Sequence, residues 1–214
     1  MAIRPKQLLV EGEDDKFAVI GLMQHHVPWP DRTVAPPVYI ESTNGFTNLL
    51  ESTFLLTKLK ESGLETLGIV VDADDNPVGR WNKFQSIFRP VIPGLPSVLP
   101  GDGLIMTAAQ GVRVGLWMMP DCGSSGMLET FLQHLVPDLA ADLWQHAESS
   151  FQTACSLGAP CRSAHHDKAR IHTWLAWQDP PGESPGRALT RKTLDPTAPT
   201  ATAFVAWFRS LFLL

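Results

Sequence analysis

Leu8-Leu9-Val10-Glu11-Gly12-Glu13-Asp14-Asp15 and Gly68-Ile69-Val70-Val71-Asp72-Ala73-Asp74 share one plan: a short apolar run that ends in acidic residues. Runs of this length read as buried strands. Glu11-Gly12 then makes a tight turn, and Asp14 and Asp15 begin a helix, where acids suit the positive end of the dipole. Between the two stretches, Val38-Tyr39-Ile40 reads as a further strand, and 45–60 as a helix with Leu49, Leu50, Phe54, Leu56 and Leu59 as its apolar set. The order strand, helix, strand, helix, strand predicts an α/β fold: a mostly parallel sheet flanked by helices. Sites on such sheets form outside the carboxyl ends of the strands. Glu11 to Asp15 and Asp72 to Asp75 both occupy such ends.

Working outward, Arg80 to Phe88 reads as a helix, Pro90 to Pro100 as loop, and Leu104–Ala108 with Val112–Met119 as a hairpin around Gln110-Gly111. Asp121 to Gly126 is a Gly/Ser loop, and Leu128, Phe131, Leu132 and Leu135 carry helical spacing after it. Residues 139–154, 164–177 and 203–214 read as helices, and 179–199 as an exposed linker. The expected division is an α/β core over 1–135 and a helical C-terminal extension over 136–214, packed on the same domain.

The 214 residues are 44% hydrophobic and 18% charged, a globular composition. The net charge of −5 gives no overall basic field for nucleic acid, so such binding would need a local patch, bound metal or a partner. Cys122, Cys155 and Cys161 are too few and too scattered for a disulfide framework, and no CxxC pair suggests zinc. Residues 1–10 lack the apolar core of a secretory signal, and no apolar run approaches the ~18 residues of a membrane helix. A cytoplasmic, membrane-free protein is the expectation.

Carboxylates are hard oxygen ligands, and Mg²⁺ takes only one or two from a protein. Asp72 and Asp74, alternate residues of an extended loop, can reach one ion, with Glu11 from a neighbouring strand. Crowded carboxylates repel each other unless a cation relieves them. Each cluster alone also reads as acids decorating a helix start or a turn, as does Glu129 in a first helical turn. Lys168 also reads as a solvated lysine. The seven histidines show no HExxH, and His165-His166, near enough to Lys168 to contact phosphate, read as solvent-exposed; Ser124-Ser125 fit neither a Walker loop nor a nucleophile elbow and read as a plain turn. Most of the tryptophans read as core, with Trp81 beside Arg80 and Lys83 as a candidate exposed stacking group.

Glu11-Gly12 after a strand, with Asp72-x-Asp74 closing another, resembles the two motifs of TOPRIM domains. Gly126-Met127-Leu128-Glu129 and Lys168 resemble later elements of the OLD-nuclease type. The whole chain is similar to a standalone bacterial TOPRIM-like family of unknown function. The resemblance implies Mg²⁺ (or Mn²⁺) held by Glu11, Asp72 and Asp74, with Asp15 and Glu129 helping a second ion. It implies Glu11 as a general base and Lys168 steadying the scissile phosphate or the leaving oxygen. The activity implied is hydrolysis of DNA or RNA phosphodiesters, in phage defence with a separate ATPase partner. Tyr39, the only tyrosine, lies on an expected strand, which removes a topoisomerase reading, and no polymerase or zinc module remains for a primase. A non-catalytic metal- or partner-binding module and a hydrolase of small phosphate esters stay open, as does a homodimer.

Overall fold

The computed structural model describes residues 4–30 and 34–214. Strand β1 (Lys6–Val10) places Leu8, Leu9 and Val10 out of contact with solvent, and helix α1 (Glu13–Met23) follows at once. Strand β2 (Tyr39–Ser42), helices α2 (Phe46–Leu49) and α3 (Ser52–Lys58), and strand β3 (Thr66–Asp72) complete the alternation. Helix α4 (Pro77–Phe88) leads to the hairpin of β4 (Leu104–Thr107) and β5 (Arg113–Met119). Helices α5 (Leu128–Gln133), α6 (Ala141–Ser156), α7 (His166–Leu175), α8 (Pro185–Thr190) and α9 (Pro199–Phe212) make up the rest.

The five strands form one sheet in the order β2-β1-β3-β5-β4. β1, β2, β3 and β5 are parallel, and β4 joins the edge antiparallel to β5. The α/β expectation therefore holds, with helices flanking a mostly parallel sheet. The first six residues of β3 are all buried, as expected for a central strand covered on both faces. α9 covers β3 and β5 with Phe204, Trp207, Phe208, Leu211 and Phe212. Its close approach depends on two glycines: a Cβ at Gly68 would stand 2.8 Å from the Phe212 ring, and one at Gly115 would stand 2.5 Å from Leu211.

Several expectations are corrected. The helix expected over 45–60 is two helices, because the Glu51 side chain accepts the N–H groups of Thr53 (3.0 Å) and Phe54 (2.5 Å) and starts a new one. The stretch 179–199 is not a linker. It contains α8, with Pro185 in its first turn, and buries Ala188, Leu189 and Leu194. α8 crosses α1 at two glycines: a Cβ on Gly21 would meet the Gly186 carbonyl oxygen at 2.3 Å. The buried face of α1 is Ala18, Val19, Leu22 and Met23, while Phe17 is 45% exposed. Trp81 is no stacking platform: it is buried against Phe84 and donates its indole N–H to the Ser97 carbonyl at 3.0 Å. Trp177, by contrast, is exposed and stacks on His146. Among the described residues no helix is long and apolar enough to cross a membrane.

Candidate active site

The carboxyl ends of β1 and β3, the loop after β2 and the start of α5 meet in an open pocket of about 460 Å³. Glu11, Asp14, Asp15, Asp72, Glu129 and Lys168 line it. Backbone donors fix three of the carboxylates. Glu11 Oε1 accepts the Asp72 N–H at 2.9 Å, Asp72 Oδ1 accepts the Leu128 N–H at 2.9 Å, and Asp15 Oδ2 accepts the Gly12 N–H at 2.9 Å. Each bond ties one acid to the backbone beside it or to the next element, so β1, β3 and α5 are joined through the carboxylates themselves. The loop after β2 closes the far wall: the Gly45 N–H bonds the Glu11 carbonyl at 2.9 Å, with Asn44 (φ 56°) and Gly45 (φ 116°) both turning in the left-handed region.

Lys168 reaches the pocket from α7. Its Nζ lies 3.0 Å from Glu129 Oε1 and 3.7 Å from Asp14 Oδ2. Glu129 is buried, whereas the lysine side chain is 47% exposed and open to a ligand. α7 is held in place by Asp167, which accepts the Thr130 hydroxyl at 2.5 Å and the Arg170 guanidinium at 3.2 Å, while Gln133 donates to its carbonyl at 3.2 Å. That docking against α5 sets the position of Lys168.

Burial pushes Asp72 well above the usual carboxylate range, reinforced by the charges of Asp15, Glu11 and Glu129. Burial and the Glu11 charge push Asp15 up to about 7. Burial raises Glu11 as well, offset in part by the Asp72 N–H, the Arg80 charge and the Phe46 N–H. Burial would lower the Lys168 ammonium, but the Glu129 bond and the charges of Glu129, Asp14 and Asp15 outweigh it and raise the group.

Of the expected site residues, Glu11, Asp15, Asp72, Glu129 and Lys168 share this pocket. Asp74 stands apart. Its backbone exchanges two hydrogen bonds with Gly126 (2.8 and 2.9 Å), which join the loops after β3 and β5, and its carboxylate is ion-paired with Arg80. Asp121 stays outside the pocket, where it closes the Gly/Ser turn by accepting the N–H groups of Gly123 (3.0 Å) and Ser124 (2.7 Å). From the sequence, Asp14 had a place only at a helix start and Arg80 one only beside Trp81, and Asn44 and Gly45 had no role. For Asn44 and Gly45 a signal was present: they follow a strand of the same parallel sheet. Asp14 and Arg80 become legible only from their ion-pair partners.

Among the described residues no three His, Cys, Asp or Glu side chains form a ready-made metal cage. A cage of that kind is not what Mg²⁺ requires, since it keeps several waters and takes one or two carboxylates. The donors are oxygen-only, partly buried and mutually repulsive, and this set suits a hard divalent cation in kind. Glu11, Asp15 and Asp72 are oriented by backbone N–H groups and could hold such an ion through the oxygen lone pairs these bonds leave.

No curated protein and no solved structure matches the chain. One family does, over residues 5–213, nearly the whole length. The chain belongs to the family described as "Protein of unknown function (DUF3226)".

Proposed function

We propose that the protein hydrolyses phosphodiester bonds of DNA or RNA with Mg²⁺ or Mn²⁺, as a TOPRIM-type nuclease of the OLD kind. The observation that carries this reading is the meeting of Glu11, Asp15, Asp72 and Glu129 with Lys168 in one open pocket. Glu11, Asp72 and Asp15 would hold the cation, which would neutralise the phosphate and polarise it toward attack. Glu11, oriented by the Asp72 N–H and raised by burial from its ordinary value, is suited to take the proton of the attacking water. Lys168 stays protonated and offers a fixed positive charge where the phosphate and leaving oxygen gather negative charge. An ATPase supplied by a separate chain and a role in phage defence belong to the same proposal.

One observation favours a second reading, a metal- or partner-binding module without turnover. Asp74 is taken by Arg80, so a single carboxylate of the Asp72-x-Asp74 pair lines the pocket. Cleavage of plasmid and single-stranded DNA in Mg²⁺ or Mn²⁺, native protein against Asp72→Ala/Asp74→Ala, separates the two. Metal-dependent cutting lost in the variant is the expected result. Native cutting no greater than the variant's, with divalent cation still bound in a calorimetric titration, would replace the nuclease with the binding module.

A further inference from the structure

Arg80 stands in the first turn of α4, where Asn76 caps the helix by accepting the Gly79 N–H at 2.8 Å. Its guanidinium pairs with Asp74 and lies 3.3 Å above the centre of the Phe46 ring. It also acts electrostatically on Glu11 and Asp72. The side chain is only 17% exposed, and a guanidinium is withdrawn from water at a cost that its partners must offset. Fixing the loop after β3 does not require this charge, because the two backbone bonds between Asp74 and Gly126 already hold it.

The placement fits a ligand-binding role better. Arg80, Phe46, Asp74, Asn76 and Lys83 line a cleft of about 530 Å³. It is a separate cleft next to the carboxylate pocket along the chain: Gly45 and Asp72 line the pocket, and their chain neighbours Phe46 and Ala73 line the cleft. Lys168 and Arg80 thus stand at different carboxylates of one acidic region, Lys168 on α7 at Glu129 and Asp14, and Arg80 on α4 at Asp74 with its charge also felt by Glu11 and Asp72. A guanidinium fork matches carboxylate and phosphate oxygens alike, so it can pass from one to the other with its hydrogen bonds kept. Asp74 is 45% exposed, so water can solvate its carboxylate when the guanidinium moves away.

We propose that Arg80 is a substrate-anion residue of this site: it rests on Asp74 until a backbone phosphate of a nucleic-acid strand takes its guanidinium. The proposal rests on the nuclease reading in taking the anion to be a phosphodiester. It differs from that reading in what would overturn it.

The test is fluorescence anisotropy of a labelled single-stranded oligodeoxynucleotide with the full chain, in EDTA and in Ca²⁺, over a range of salt. Arg80→Gln is expected to weaken binding roughly tenfold. It should also reduce the salt slope by about 0.7, the value for one phosphate contact on a single strand. Arg80→Lys should restore the slope but not the full affinity, since an ammonium lacks the fork. Asp74→Asn in EDTA should tighten binding by releasing Arg80, and the gain should vanish in the Asp74→Asn/Arg80→Gln double variant. If Arg80→Gln and Asp74→Asn both weaken binding with the salt slope unchanged, the pair only shapes the loop and the proposal is overturned. Failure of the native protein to bind the strand in either buffer overturns it too. Strand binding with the expected pattern but no cutting in Mg²⁺ or Mn²⁺ would remove the nuclease reading and leave Arg80 assigned. Cutting that is indifferent to Arg80 would do the reverse.

Discussion

Asp15 enters the pocket from the first turn of α1 with its carboxyl pushed up to about 7 by burial and by Glu11. An unfolded aspartate titrates near 3.9. Between these values the folded state holds a proton that the unfolded state has lost, so stability falls as pH rises through the window and levels off above about 7. The cost at high pH is on the order of a few kcal/mol, discounted for the partial exposure of the side chain. Asp15→Asn keeps an acceptor for the Gly12 N–H and removes the charge. It should raise the melting temperature at pH 8 by on the order of 5 °C and change it little at pH 4. A divalent cation should relieve the same charge, so Mg²⁺ should stabilise the native protein more at pH 8 than at pH 5. An equal effect of Asp15→Asn at both pH values would show that the carboxyl is not repelled in the folded state.

At the scale of elements, the crossing of α1 and α8 shows how a loop-like composition can pack as core. Pro185, Gly186 and the nearby Ser184 read as linker residues, yet the proline occupies the first helical turn and the glycine lets two backbones touch. Gly21→Ala would drive a methyl group to 2.3 Å from the Gly186 carbonyl oxygen, which no side-chain rotation can avoid. The expected loss is about 1–3 kcal/mol, read as a lower midpoint in urea. A variant as stable as the native protein would mean that α8 docks more loosely than the structure has it. Gly45, turning at φ 116° with nothing near its Cβ position, marks a different use of glycine: backbone conformation rather than close approach.

Across the whole molecule, α9 returns the chain's end to the middle of the sheet. Phe204, Val205, Trp207, Phe208, Leu211 and Phe212 are all buried there, and full burial of each such side chain contributes about 1.5–3 kcal/mol. The total is comparable to the ~5–15 kcal/mol by which a domain is stable. A chain ending at Ala198 should therefore lose its cooperative thermal transition and its near-ultraviolet circular dichroism. A sharp transition in that truncated chain would make α9 an appendage instead of part of the core. The site depends on the same closure, because β3 and β5 carry the loops that bring Asp72 and Glu129 together.

By itself the sequence determined the alternation of strand and helix, the parallel sheet and the acidic loops at its strand ends. Those features follow from local period and composition: apolar runs at β1 and β3, acids at helix starts, and glycines at turns. It also placed Glu11, Asp15, Asp72, Glu129 and Lys168 as candidates, and the structure brings these five to one pocket. Only the tertiary structure decided that Asp74 pairs with Arg80 instead of facing that pocket, that Asp14 shares Lys168, and that residues 179–199 pack as core. Each of those outcomes is set by a partner on another element, through a cation, a carbonyl or a glycine crossing, and hydrophobic period carries no information about which elements will meet.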